Sequence, residues 1–173
     1  DSWNALFIYH NQKKGKGEVA YSPDETIFIK INQGSGDWMS DPADLSISTD
    51  NDWRAVYYGI TETLPQLILS VLKQLVDSCG IPQDKIYIGD PRAHIFKYNY
   101  DYLSALYPNV KYFDKSYSTL GRTMSAGPGN AVLTYSDKGT TMSQAVTDHI
   151  YQEMENADYL INMACLKGHQ RAG

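Results

Sequence analysis

Ile27-Phe28-Ile29-Lys30-Ile31-Asn32 and Ile86-Tyr87-Ile88-Gly89-Asp90 are short apolar runs that end in polar, reactive residues. Between them, Leu64, Leu67, Ile68, Val71, Leu72, Leu75 and Val76 recur at the three-four spacing of one helical face,. Strand, helix, strand is a βαβ unit with an expected right-handed crossover, so the stretch predicts an α/β fold built on a largely parallel sheet. Runs this rich in Ile suit strands buried on both faces. Thr63 is the expected N-cap of the helix over 63–79, Pro65 its first-turn residue, and Gly80 with Pro82 its stop,.

Working outward, the Ser22-Pro23-Asp24-Glu25 turn leads into the first strand, about 26–32, and Lys85–Gly89 forms the second,. A helix over 99–107 would bury Tyr102, Leu103, Leu106 and Tyr107, followed by a strand over 110–113,. The polar, glycine-rich stretch 116–130 reads as loop and Gly127-Pro128-Gly129 as a turn. Residues 131–135 read as a strand, 147–156 as a short helix and 158–162 as the last strand. The 33–59 connection is long for a compact domain, which marks it as functional or as an ordered insertion.

The chain of 173 residues is long enough for one domain with a sizeable core, and 42% hydrophobic with 20% charged residues is ordinary globular composition,. A formal net charge of −5 argues against a dedicated nucleic-acid binder,. Lys13-Lys14-Gly15-Lys16 reads as a solvated loop. Fourteen tyrosines against four phenylalanines favour wet, polar surfaces over a dry core,. No run of 18 apolar residues occurs, so no transmembrane segment is expected, and no signal-type segment gives a compartment,. The polar loop after the last strand leads to the expectation that the chain is a piece of a longer protein.

The chemistry-bearing residues cluster behind the strands, where parallel sheets bind ligands. Lys30 and Asn32 share one face of the first strand. A lysine there needs solvent, a ligand or a partner charge. Gly89 lets the chain turn sharply, so that Asp90 can hold a metal, a cation or a nearby lysine, or cap the following turn. Arg92 and His94 add cationic donors. Lys167 and His169 place a cation and an imidazole together, suited to anion binding or proton transfer. His10 and His149 read as surface or hydrogen-bonded residues. Cys79 and Cys165 lack CxxC or metal-finger spacing; Cys79 reads as a small buried residue, and Cys165 sits near Lys167 and His169,. No GxGxxG follows the first strand, and no P-loop, GxSxG or HExxH motif occurs,.

The Lys30-x-Asn32 element, the helix ending at Gly80, Gly89-Asp90, and Ala157-Asp158-Tyr159-Leu160-Ile161-Asn162 with Lys167-Gly168-His169 together resemble the family catalogued as domain of unknown function 362, over about residues 19 to 173. The resemblance implies that the Lys-x-Asn, Gly-Asp and Lys-x-His elements belong to one site, and that a further Lys-Asn segment normally follows. Some relatives carry ferredoxin-like cysteine clusters; this sequence has none.

The expectation is an enzyme-like domain that binds a small molecule or anion at the strand ends. Lys30, Asn32 and Arg92 would be ligand-binding residues, and Asp90, Lys167 and His169 the catalytic set, with Lys167 an anion ligand, His169 the proton carrier and Asp90 the residue that orients a cation or metal. Two other classes stay open: a non-catalytic binding or assembly domain in which these residues pin loops, and a metal- or iron–sulfur-linked redox protein completed by further segments.

Overall fold

A computed structural model of the chain describes residues 2–33, 62–115, 121–135 and 146–165. Helix α1 (Ser2–Lys13) precedes strand β1 (Ile27–Ile31). Helix α2 (Pro65–Leu72) widens into π-type turns over Lys73–Ser78, and a short 3-10 turn delivers strand β2 (Ile86–Gly89). Then come α3 (Lys97–Ser104), β3 (Lys111–Asp114), β4 (Thr123–Met124), β5 (Pro128–Tyr135), β6 (Val146–Tyr151), α4 (Gln152–Glu155) and β7 (Tyr159–Met163).

Five strands form one all-parallel sheet in the order β4-β3-β2-β1-β7. The α/β fold with a parallel sheet is therefore what the apolar runs announce. Successive strands step outward from β1 to β4, and β7 then takes the opposite flank of β1, so strand order reverses at β1. Register fixes the neighbours of the site: Lys30 lies level with Gly89 on one side and Asn162 on the other.

The main core lies on the face bearing Ile27, Ile29, Ile31, Ile86, Ile88, Tyr112 and Tyr159, against Phe7 of α1, Ile68, Leu72 and Leu75 of the α2 helix, and Leu103 of α3. Each fully buried Leu or Ile side chain contributes about 1.5–3 kcal/mol through lost apolar surface. The other face carries Phe28 against Phe113, with ring centroids 6.1 Å apart. There Leu160 of β7 stays half exposed.

Several local expectations are corrected. The long helix does not use Thr63 as its N-cap; Leu64 holds that position without a side-chain cap bond, and Pro65 begins the helix. Its buried stripe is Ile68, Leu72 and Leu75 with Leu69, while Leu64 and Leu67 face solvent, because the stripe in contact with the sheet is narrower than the apolar pattern. Gly80 ends the helix in the left-handed region at φ 71°,. In α3 and the turn after it, Leu103 and Tyr107 are buried but Tyr102 and Leu106 are exposed.

The helix expected over 147–156 is a strand up to Tyr151, paired antiparallel with β5 in a separate two-stranded sheet. Thr147, Ile150 and Tyr151 are residue types that favour extended backbone, and only Gln152–Glu155 is helical. Likewise Pro128 and Gly129 start a strand rather than a turn. Carboxylates of α4 hold that start in place: Glu155 accepts the Asn130 and Ala131 amides, and Glu153 accepts the Ala126 amide. No helix among the described residues is long and apolar enough to cross a membrane.

Candidate functional site at the strand carboxyl ends

β1 places Lys30 one residue before its end, and β2 stops at Gly89 so that Asp90 follows immediately. The two side chains meet: Lys30 Nζ lies 3.2 Å from Asp90 Oδ2. Asp90 is a hub. Its Oδ2 also accepts the Gln33 amide at 3.0 Å, its Oδ1 faces the Arg92 amide at 3.4 Å, and its backbone carbonyl accepts the Ala93 amide at 2.9 Å. One carboxylate thus orients the ammonium and both following loops. The Lys30 side chain keeps 29% exposure against 9% for Asp90, and an ammonium has three donor hydrogens, more than the one bond to Asp90 uses.

Gly89 does not supply the torsional freedom expected of it. Its φ is not positive; what it supplies is closeness to β3, since a Cβ there would meet the Phe113 carbonyl oxygen at 2.6 Å.

Asn32 lies just beyond β1, and its amide donates to Thr63 Oγ1 at 2.8 Å. The same hydroxyl donates to the Met163 carbonyl at 2.7 Å, which ties the ends of β1 and β7 together. This is what Thr63 does in place of capping the helix. Gln33, fully buried, accepts from Asn99 Nδ2 at 3.3 Å, and Asn99 Oδ1 is a buried acceptor without a partner. Arg92 is exposed beside Asp90. Lys167 and His169 lie outside the described residues, as does the 34–61 stretch that makes up nearly all of the long connection.

One strand further on, the structure groups His94 with residues that the sequence reading did not single out, Asp114 and Arg122. Asp114, the last residue of β3, accepts from His94 Nδ1 at 2.6 Å and from the Ile95 amide at 2.8 Å, with Arg122 Nε 3.7 Å from its Oδ2. All three side chains are almost wholly buried. The Arg122 guanidinium lies over the Tyr100 ring, 4.8 Å from its centroid. Burial lowers the Arg122 pKa from its ordinary value, and Asp114 opposes that shift. In the sequence, His94 is four residues past Asp90 and Asp114 directly follows an apolar strand. That is the same strand-end signal that drew attention to Asp90.

Among the described residues, no group of three His, Cys, Asp or Glu could hold a metal ion. Cys79 and Cys165 are not joined in a disulfide, and both are half-buried. A cleft of about 190 Å³ is lined by Asn4, Phe7, Tyr21, Ser78, Cys79 and Ile81. Its residues precede β1 and β2 in the chain, and none belongs to the strand-end cluster.

The arrangement can hold a negative charge against Lys30 and can keep an imidazole in one orientation through Asp114. Compared with known proteins, the chain matches no family model, no curated protein and no solved structure.

Proposed function

We propose that this is an enzyme-like domain that binds a small anionic molecule over the carboxyl ends of β1, β2 and β7. The observation that carries the reading is the Lys30 side chain, its ammonium held from one side by Asp90 and the chain still partly open to solvent. Support comes from its place, where strand order reverses, because open parallel sheets bind ligands in the crevice outside such strand ends. In this reading Lys30, Asn32, Arg92 and Lys167 contact the anion, Asp90 orients Lys30, and His169 carries a proton. The family resemblance of the Lys-x-Asn, Gly-Asp and Lys-x-His elements supports the same grouping.

Calorimetric titration with inorganic phosphate, sulfate and malonate tests it. Saturable, salt-sensitive binding of at least one of the three is expected, weakened about tenfold by Lys30→Gln, which corresponds to about 1.4 kcal/mol. Absence of saturable binding by all three, or equal binding by the variant, overturns it.

A second reading is favoured by the hub itself. Asp90 takes its partners from Lys30 and two loop amides, which is also what a non-catalytic domain that merely pins its loops would show. Under that reading Lys30→Gln lowers stability and no anion changes it.

A further inference from the structure

We propose that the cleft between α1 and the π-type end of the α2 helix binds a small aromatic amine, a single ring that carries a protonated ammonium. The site is separate from the strand-end cluster, and the inference does not depend on the anion-binding reading.

The lining comes from separated pieces of chain. Asn4 and Phe7 come from the same face of α1, Ser78 and Cys79 from the end of the π-type turns, and Tyr21 and Ile81 from the loops before β1 and β2. Phe7 and Ile81 are buried and give the cleft an apolar floor. Asn4 and Ser78 are exposed and put a side-chain amide and a hydroxyl at its mouth. The Trp3 indole donates to Gln74 Oε1 at 2.7 Å, which pins α1 to the widened helix.

The widening is what brings Ser78 and Cys79 to this place. Nothing in Lys73-Gln74-Leu75-Val76-Asp77-Ser78 forces it, since the run holds neither Gly nor Pro,. The Cys79 amide reaches back five positions, to the Gln74 carbonyl at 3.0 Å. Ser78 and Cys79 are thereby turned about the axis relative to a continued α-helix, and π-type turns concentrate at functional sites.

Size and walls give the ring. The cleft holds about 190 Å³, and an apolar cavity of about 150 Å³ takes up benzene, so one ring with a short substituent fills it. The Phe7 and Tyr21 rings lie 5.5 Å apart at 44°. Both also pack on Tyr159, at 4.8 and 6.1 Å, which holds the two walls in place.

Charge selects the substituent. Aromatic rings attract cations through their faces. After burial, Glu25 and Asp84, followed by Tyr159 and Asp158, push the Tyr21 phenol up to about 12, so the groups around this wall oppose added negative charge. Lys16 offsets part of that field, 2.9 Å from Glu25 and 3.7 Å from Asp158. Asp84 stands outside that ion-pair cluster.

NMR titration of the ¹⁵N-labelled protein with benzylamine, benzyl alcohol and benzoate tests this, because the three share a ring and differ in charge. Benzylamine should give saturable shifts of the Ser78, Cys79 and Ile81 amides. Benzyl alcohol should bind about tenfold more weakly, and benzoate should leave those amides unmoved. Ser78→Phe, at an exposed position, fills the cleft and should abolish the benzylamine shifts while keeping the wild-type urea midpoint. Failure of benzylamine to move and saturate those amides overturns the proposal. So does benzyl alcohol or benzoate that binds as tightly as benzylamine, or undiminished benzylamine binding by a folded Ser78→Phe. The wild-type titrations decide the matter whether or not that variant folds.

Discussion

A Cβ built on Gly89 would lie 2.6 Å from the Phe113 carbonyl oxygen and 2.9 Å from the Phe113 Cβ. The first of these is backbone of the paired strand and cannot rotate away, so Gly89→Ala must push β2 from β3. Overpacking of this kind costs about 2 kcal/mol. Urea unfolding should show that loss, and a variant within about 0.5 kcal/mol of wild type would mean that the strands part freely. Asp90 carries a different cost. In Asp90→Ala the Lys30 ammonium can turn to water, but the amide of fully buried Gln33 loses its acceptor. An unsatisfied buried donor costs about 1–3 kcal/mol. Asp90→Asn keeps one acceptor oxygen and should lose less than half as much in the same experiment. Equal losses would mean that charge, rather than the bond to Gln33, is what Asp90 provides.

At the scale of elements, periodicity resolved what burial enforces and missed what pairing enforces. β1 and β2 are legible because Ile recurs in strands packed on both faces, and α2 is legible because its stripe meets the sheet. β6 is not legible because its two-stranded ribbon lies largely in solvent, so no apolar alternation marks it. The strand-end residues Lys30 and Asp90 stand out because a charge beside an apolar run is costly, yet their pairing across 60 positions is not written in either run. The His94–Asp114 bond is hidden for the same reason. One inter-element tie is directly measurable. The Tyr107 hydroxyl donates to Asp77 Oδ2 at 2.7 Å, joining the turn after α3 to the π-type end of the α2 helix. Burial, and then this bond, pushes the Tyr107 phenol up to about 12. Asp77→Asn removes the charged acceptor, so Tyr107 should titrate nearer its ordinary value near 10 in an absorbance titration of the phenolate. A titration curve identical to wild type would show that burial alone sets the shift.

Across the whole molecule, buried and partly buried phenols shape the alkaline response of the fold. Burial, with smaller contributions from nearby carboxylates, pushes Tyr21, Tyr107 and Tyr159 up to about 12. Between the ordinary phenol pKa near 10 and that value, the unfolded chain releases protons that the native protein retains, so stability must fall as pH rises through this window. At the acid end the sign reverses. Burial works to raise the Glu25 pKa, but Lys16, the Ser22 amide and the Tyr159 hydroxyl together hold it below the ordinary value. Stability from Glu25 is therefore present above about 4.5 and lost as pH falls through its native pKa. Tyr159 joins the two ends, since its hydroxyl donates to Glu25 at 2.8 Å and accepts from Asn11 at 2.9 Å. Tyr159→Phe should lower neutral-pH stability by about 1–2 kcal/mol and make the decline between pH about 10 and about 12 shallower. It should also shift the acid midpoint upward, because Glu25 loses one of the partners that keep it ionised. Denaturant midpoints measured across pH decide the matter: an alkaline slope unchanged in the variant would mean that Tyr159 ionises alike in the folded and unfolded chain.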